Sequence, residues 1–297
     1  MELRSFGGNN TGLRVSALGF GAMHLNDERT SEAEAGRLLN AVLDLGVNLI
    51  DTARGYGLSE QRIGRHLAHR RSEFLLSTKL GYGVEGVPDW SYDCIVHGVE
   101  RALRLLRSEV LDIAHLHSCP LHVLEQGEVL RALQDCRAAG KIRVAAYSGD
   151  NAELDFALAC GQFGAVQTSV SLCDQVNLAT RLPAAQAAGI GVIAKRPIAG
   201  AVWRQAARPD TFAEGEYWAR WQAMGLEAAL PGANWNELAL RYTAYLPGVS
   251  STIVGTSKLA HFEQNLAALA QGALPPEQSS LLRQAFLRAD RDWAGLI

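Results

Sequence analysis

Short apolar runs recur along the chain, and each ends at a polar loop. Between them lie stretches with apolar residues every three or four positions. Three segments show the alternation most clearly. Leu38–Leu45 has helical periodicity, stops at Gly46 and gives way to Val47-Asn-Leu-Ile50. Val129–Ala139 stops at Gly140 and gives way to Ile142–Tyr147. Leu182–Ala188 stops at Gly189 and gives way to Ile190–Ala194. Glycine just past a helix end takes the left-handed conformation without a Cβ penalty, so each of these predicts a terminus. The runs that follow are almost continuously apolar, as in parallel strands buried on both faces.

Further strands are predicted near Leu18–Gly21, Phe74–Lys79, Ile113–His117, Ala165–Ser169 and Thr252–Val254. Eight strands alternating with helices fit a closed (β/α)8 TIM barrel better than an open sheet. The expected architecture is α/β, one barrel domain over residues 1–297. Residues Leu3 to Val15 precede the first unit and are expected to form a short hairpin on the barrel floor. The stretch from Gly200 to Asn234 carries Trp203, Trp218 and Trp221 and interrupts the alternation. It reads as a long βα loop with helical pieces over the C-terminal mouth, where long loops carry specificity. Its tryptophans either form a lid over substrate or pack within the segment.

Hydrophobic residues make up 48 % of the 297, enough for one large core. The net charge of −3 gives no electrostatic reason to expect nucleic acid or an anionic membrane as partner. No apolar run approaches the roughly 20 residues that span a bilayer, and Met1–Gly8 lacks the apolar core of a signal peptide. The five cysteines are scattered, with no Cys-x-x-Cys pairing. A cytoplasmic protein with reduced thiols is the expectation.

The chemistry is concentrated at strand ends. Asp51 ends Val47–Asp51, Lys79 ends Phe74–Lys79, and His117 ends Ile113–His117. Tyr56 follows Asp51 in the loop Thr52-Ala-Arg-Gly-Tyr56. Ends of consecutive barrel strands converge on one mouth. A phenol ordinarily titrates near 10, and a nearby ammonium lowers that value by stabilising phenolate. A carboxylate beside the ammonium keeps it charged and fixed. An imidazole at the same mouth can hold a carbonyl oxygen. Together these groups suit protonation of an oxyanion as hydride reaches the carbonyl carbon.

These residues resemble the aldo-keto reductase family. The resemblance begins at Gly12-Leu-Arg-Val-Ser-Ala-Leu-Gly-Phe-Gly21 and continues through Gly46–Glu60, Ser77-Thr-Lys79 and Leu116-His117. It ends at Ile253-Val-Gly-Thr-Ser-Lys258 and Glu263-Gln-Asn265, so it covers most of the chain. It implies a catalytic tetrad of Asp51, Tyr56, Lys79 and His117, with Tyr56 as general acid. It also implies a nicotinamide cofactor bound without a Rossmann domain, NADP(H) ahead of NAD(H), no metal, and a small carbonyl or sugar substrate. Gly21, Ser148 and Gln167 match cofactor contacts, although Gly149 stands where the family has an asparagine. The aromatic residue that stacks on nicotinamide is missing from Ala194-Lys-Arg-Pro-Ile198, and Arg196 is the candidate to stack there instead. Gly255, a further cofactor-binding candidate, opens the stretch that leads into a helix, and Ser257 and Lys258 are the candidates for the ribose 2′-phosphate. The arginine often found later is absent, with His261 near its place. Gln264 and Asn265 match adenine contacts. His24, after the first strand, and Trp90, in the loop after the third, are candidates for the substrate pocket; the competing roles are a solvated loop histidine and a ring that packs its loop down.

Other readings compete. Barrels of this family also serve as cofactor-binding regulatory or scaffold subunits with little turnover. His115-x-His117 could bind zinc in a barrel hydrolase, but no further cluster supplies a third ligand. Gly81-Tyr-Gly-Val-Glu-Gly86 matches a dinucleotide fingerprint in letters only, because Pro88 follows and no helix opens. Cys119 has no activating arrangement in sequence and takes no role.

Overall fold

The computed structural model describes residues 1–7 and 11–296. Among the described residues there are ten strands: β1 (Leu3–Phe6), β2 (Leu13–Ser16), β3 (Leu18–Gly21), β4 (Leu49–Asp51), β5 (Leu75–Leu80), β6 (Leu111–His117), β7 (Ile142–Ser148), β8 (Ala165–Ser169), β9 (Gly191–Lys195) and β10 (Ser251–Val254). Strands β3 to β10 form a closed parallel barrel in sequence order. β10 completes it by pairing with β9 at Thr252–Ala194 and with β3 at Val254–Phe20. All eight barrel strands fall where the apolar runs predict them.

The glycine stops also hold. Helix Glu32–Asp44 opens on a capping box between Ser31 and Glu34 and ends before Gly46, which has φ +82°. Helices Glu128–Ala138 and Arg181–Ala187 end before Gly140 and Gly189 in the same conformation. The large side chains of these helices bury against the outer face of the barrel.

β1 and β2 pair antiparallel and plug the floor. Phe6, Leu13 and Val15 pack with Leu49, Ile113, Val144, Ala165 and Ile193 from inside the barrel. Gly191 is required there, since a Cβ would lie 2.8 Å from the Phe6 ring.

The segment after β9 folds into a 3-10 turn (Ala199–Arg204) and helices Phe212–Met224, Leu226–Ala229 and Trp235–Ala244. It builds a second apolar core with the C-terminal helix Pro276–Ala289. The tryptophans belong to that core. Trp221 packs 5.5 Å from Trp203 and 4.7 Å from Trp235 between ring centres. Trp203 donates to Asn236 and Trp218 to the carbonyl of Gln205. Of the two roles open to them, packing within the segment is what the fold uses; Thr211, Ala213, Glu214 and Tyr217 face the mouth instead.

Candidate active site

A cavity of about 620 Å³ opens at the C-terminal ends of the strands. Asp51, Tyr56 and His117 line it from the β4 and β6 ends, and Ser148 and Gln167 from β7 and β8. Lys195 and Arg196 line it from β9, and Gly21 and Gly255 from β3 and β10.

Lys79 is buried beneath this surface. Its Nζ donates to Asp51 Oδ2 at 2.6 Å and to the carbonyl of Thr52 at 2.7 Å. Burial pulls the ammonium down, but Asp51 and Tyr56 outweigh it and hold Lys79 above the ordinary lysine value. The same Nζ stands 5.1 Å from the centre of the Tyr56 ring. Asp51 is held in turn by Ser77 Oγ at 2.8 Å and Gln167 Nε2 at 2.9 Å, both on Oδ1. A carboxylate with those partners has one orientation, and through it the lysine has one position.

His117 ends β6 with its ring edge-on to Tyr56 at 6.1 Å. Burial first, then Lys79 and Lys195, push its pKa down to about 3. It is therefore neutral at ordinary pH, a hydrogen-bonding group and not a cation. His115 lies one pleat deeper, fully buried, with Nε2 3.1 Å from Ser77 Oγ. Burial and then Lys79 push it down to about 4. Among the described residues, no group of three or more His, Cys, Asp or Glu could hold a metal.

The other sequence candidates are placed unevenly. Ser148 Oγ donates to Gln167 Oε1 at 3.3 Å, so these two form one polar patch of the cavity wall. Gly149 has a local cause: a Cβ there would sit 2.3 Å from Tyr147 Oη. Gly255 is equally constrained, since its Cβ would meet Gly21 O at 2.9 Å and the His24 ring at 3.0 Å. His24 lines the cavity. Arg196, in a left-handed conformation at φ +57°, lines it too and donates to Leu296 O at 3.3 Å. Ser257 and Lys258 are exposed beside Gly255, where Lys258 precedes helix Leu259–Ala270; Gln264 is exposed and Asn265 half-buried on that helix. None of these four lines the cavity.

Of the two roles open to Trp90, the structure shows the packing contact. Trp90 does not line the cavity but packs edge-on against Tyr82 at 6.0 Å, in the space left by Gly81, whose Cβ would lie 2.0 Å from its ring.

Sequence reasoning missed three residues. Lys195 ends β9 and bonds Asp150 at 3.1 Å. A lysine ending a buried strand, as Lys79 does, was the available signal. Tyr217 reaches the cavity from helix Phe212–Met224. Tyr82 meets His117. Nothing local in the sequence marks either tyrosine.

Comparison with known proteins agrees with this geometry. The model of the Aldo/keto reductase family matches residues 17–286. L-galactose dehydrogenase of Arabidopsis thaliana is 30 % identical, over 91 % of this chain and 89 % of its own length. A probable voltage-gated potassium channel subunit beta of Oryza sativa subsp. japonica is 36 % identical over 39 % of this chain and 37 % of its own. Among solved structures, the holo form of an aldo-keto reductase from Bacillus halodurans superposes with a TM-score of 0.83 at 26 % identity, over 96 % of each chain.

Proposed function

We propose that this chain, which belongs to the aldo/keto reductase family, uses NADP(H) to reduce an aldehyde or ketone, or in reverse to oxidise the corresponding alcohol or sugar hemiacetal. It is an oxidoreductase by family. The observation that carries the reading is one contact chain: the Lys79 ammonium, fixed by Asp51 at 2.6 Å, stands against the Tyr56 ring at a cavity that His117 also lines.

Tyr56 is the general acid of this reading. The Lys79 ammonium stands against the Tyr56 ring, where its positive charge faces the negative charge that develops on the phenol oxygen during proton transfer. Neutral His117 donates a hydrogen bond to the carbonyl oxygen and orients it. Asp51 keeps Lys79 charged and in place. The cofactor, when bound, supplies the hydride.

The chain's own residues suit such a cofactor. The cavity falls within the roughly 300–1,000 Å³ of small-molecule sites. Gly21 and Gly255 leave bare backbone at its wall. Ser148 and Gln167 would hold the carboxamide, and Arg196 would lie against the nicotinamide as a planar cation. Ser257 and Lys258, ahead of helix Leu259–Ala270, would take the 2′-phosphate, with Gln264 and Asn265 near the adenine. His24 would border the substrate.

Similarity to a channel subunit beta favours a second reading, in which the chain binds cofactor with little turnover. Titration of the tryptophan fluorescence with NADPH and NADH, for the wild type, Tyr56→Phe and Arg196→Ala, tests the assignment. NADPH should bind more tightly than NADH, Tyr56→Phe should bind it as the wild type does, and Arg196→Ala should bind it more weakly. Failure to bind either nucleotide would sink the proposal. Tight binding without oxidation of NADPH by any aldehyde or ketone of a broad panel would move the conclusion to the second reading.

A further inference from the structure

A second tyrosine stands behind the imidazole. Tyr82 follows β5 in the loop Gly81–Trp90. Its ring stacks on that of His117, with centres 5.7 Å apart and planes at 26°. Its Oη lies 2.7 Å from His117 Nδ1. The ring is held on several sides. Arg54 Nε donates to the Tyr82 carbonyl at 2.6 Å, and Trp90 packs edge-on. Gly55 passes so close that a Cβ there would lie 2.9 Å from Oη. His117 lines the cavity and Tyr82 does not.

We propose that Tyr82 is a positioning residue that donates its phenolic proton to His117 Nδ1 and so fixes the imidazole as the Nε2–H tautomer, the form that can donate to a substrate carbonyl oxygen. The proposal rests on the reductase reading above. A neutral imidazole has one N–H and one lone pair, and the partner of one nitrogen decides which is which. His117 stays neutral because its pKa lies at about 3. Tyr82 keeps its proton because burial, with Tyr56 adding to it, holds the phenol above its ordinary value. Two arrangements satisfy the short contact. If Nδ1–H donated to Oη, a bare lone pair on Nε2 would meet the lone pairs of a carbonyl oxygen. If Tyr82 donates, the one hydroxyl proton is used and Nε2–H is left for the ligand. Among the described residues, Tyr82 Oη has no other hydrogen-bond partner.

The test is spectroscopic first. Protein labelled with 15N-histidine, with His117 assigned by its loss in His117→Gln, should show His117 as Nε2–H in the wild type between pH 6 and 8. Tyr82→Phe should show a mixture of tautomers. A wild-type ring protonated on Nδ1, or an unchanged pure Nε2–H ring in Tyr82→Phe, overturns the proposal. Kinetics give a second readout. Tyr82→Phe should lower kcat/KM for a carbonyl substrate about tenfold and leave NADPH affinity unchanged. On a His117→Ala background the same substitution should cost nothing further; an equal loss there would also overturn it. Absence of any carbonyl turnover by the wild type would sink the reductase reading, while the tautomer spectra would still decide the role of Tyr82.

Discussion

The mouth of the barrel holds two lysine–aspartate pairs; Lys79, Asp51 and Asp150 are buried, and Lys195 is half-buried at the cavity wall. Lys79 and Asp51 sit at the ends of β5 and β4; Lys195 ends β9, and its partner Asp150 follows β7. Their electrostatics are opposite. Lys79 is held above the ordinary lysine value, while burial, with Arg196 and Lys79 adding to it, holds Lys195 below. The partners explain this. Asp51 gives Lys79 a contact of 2.6 Å, and the carbonyl of Thr52 adds a second. Asp150 meets Lys195 only at 3.1 Å and divides its oxygens among Thr168, the backbone N and the Oγ of Ser169, and Asn177. Arg196, next in the chain, repels Lys195 directly. Asp51 takes Ser77 and Gln167 on Oδ1 and leaves Oδ2 to its lysine; Asp150 serves a wider network of which the lysine is a single member.

The largest expected difference is in turnover. Lys79→Met should lower kcat by about 10³-fold, since the proton transfer by Tyr56 loses its ammonium. Lys195→Met should change it by less than about tenfold, because the β9 lysine touches neither Tyr56 nor Asp51. NADPH affinity, measured by fluorescence, should remain in the Lys79 variant. Equal losses in the two variants would erase the distinction drawn between the pairs.

Stability should reverse that order. Asp150→Ala removes the acceptor of several buried donors and leaves Lys195 unpaired. Breaking a buried pair from one side costs about 3–5 kcal/mol. We expect about 3 kcal/mol, read from urea unfolding. A loss below about 1 kcal/mol would show that the network re-forms without its carboxylate.

The two pairs also differ in how far the sequence reveals them. Asp51 and Lys79 each end an apolar run, so strand pattern and candidate chemistry coincide in the letters. The barrel itself was legible for the same reason: parallel strands buried on both faces read as unbroken apolar runs, and glycines mark the helix ends. The Asp150 network was hidden because its partners are distant along the chain. Ser169 donates to Leu296 O and Asn151 bonds both backbone groups of Gly295, contacts made only when the C-terminal segment folds back on the mouth. Tyr82 and Tyr217 were hidden for a related reason, because loop and inserted-helix side chains carry no periodicity that tells which way they point. Trp90 was open in the letters between pocket wall and loop packing, and its contact is with Tyr82.

A further prediction sharpens the comparison through pH. Asp174 belongs to the same hidden network. Its Oδ2 accepts from Leu296 N at 3.0 Å, while Oδ1 has no hydrogen-bond partner among the described residues and lies 3.8 Å from Arg220. Burial raises its pKa to about 7, against an ordinary value of 3.8. Between those values the folded chain keeps a proton that the unfolded chain has lost. Stability from this group is therefore present at low pH and falls as pH rises, by up to about 1.4 kcal/mol per pH unit. His115 and His117 act in the opposite sense, because the folded state refuses protons that unfolded histidines accept near 6.5. The wild-type curve alone would mix the two effects, so the comparison is with Asp174→Asn. The stability of the wild type minus that of the variant should decline from about pH 4 to about pH 7 and be flat above. Urea unfolding at three pH values across that window decides it. Parallel curves would mean that Asp174 is ionised in the folded state, with Arg220 a closer partner in solution than 3.8 Å implies. The Asp150 side of the mouth would then be balanced in charge, as the Asp51 side is.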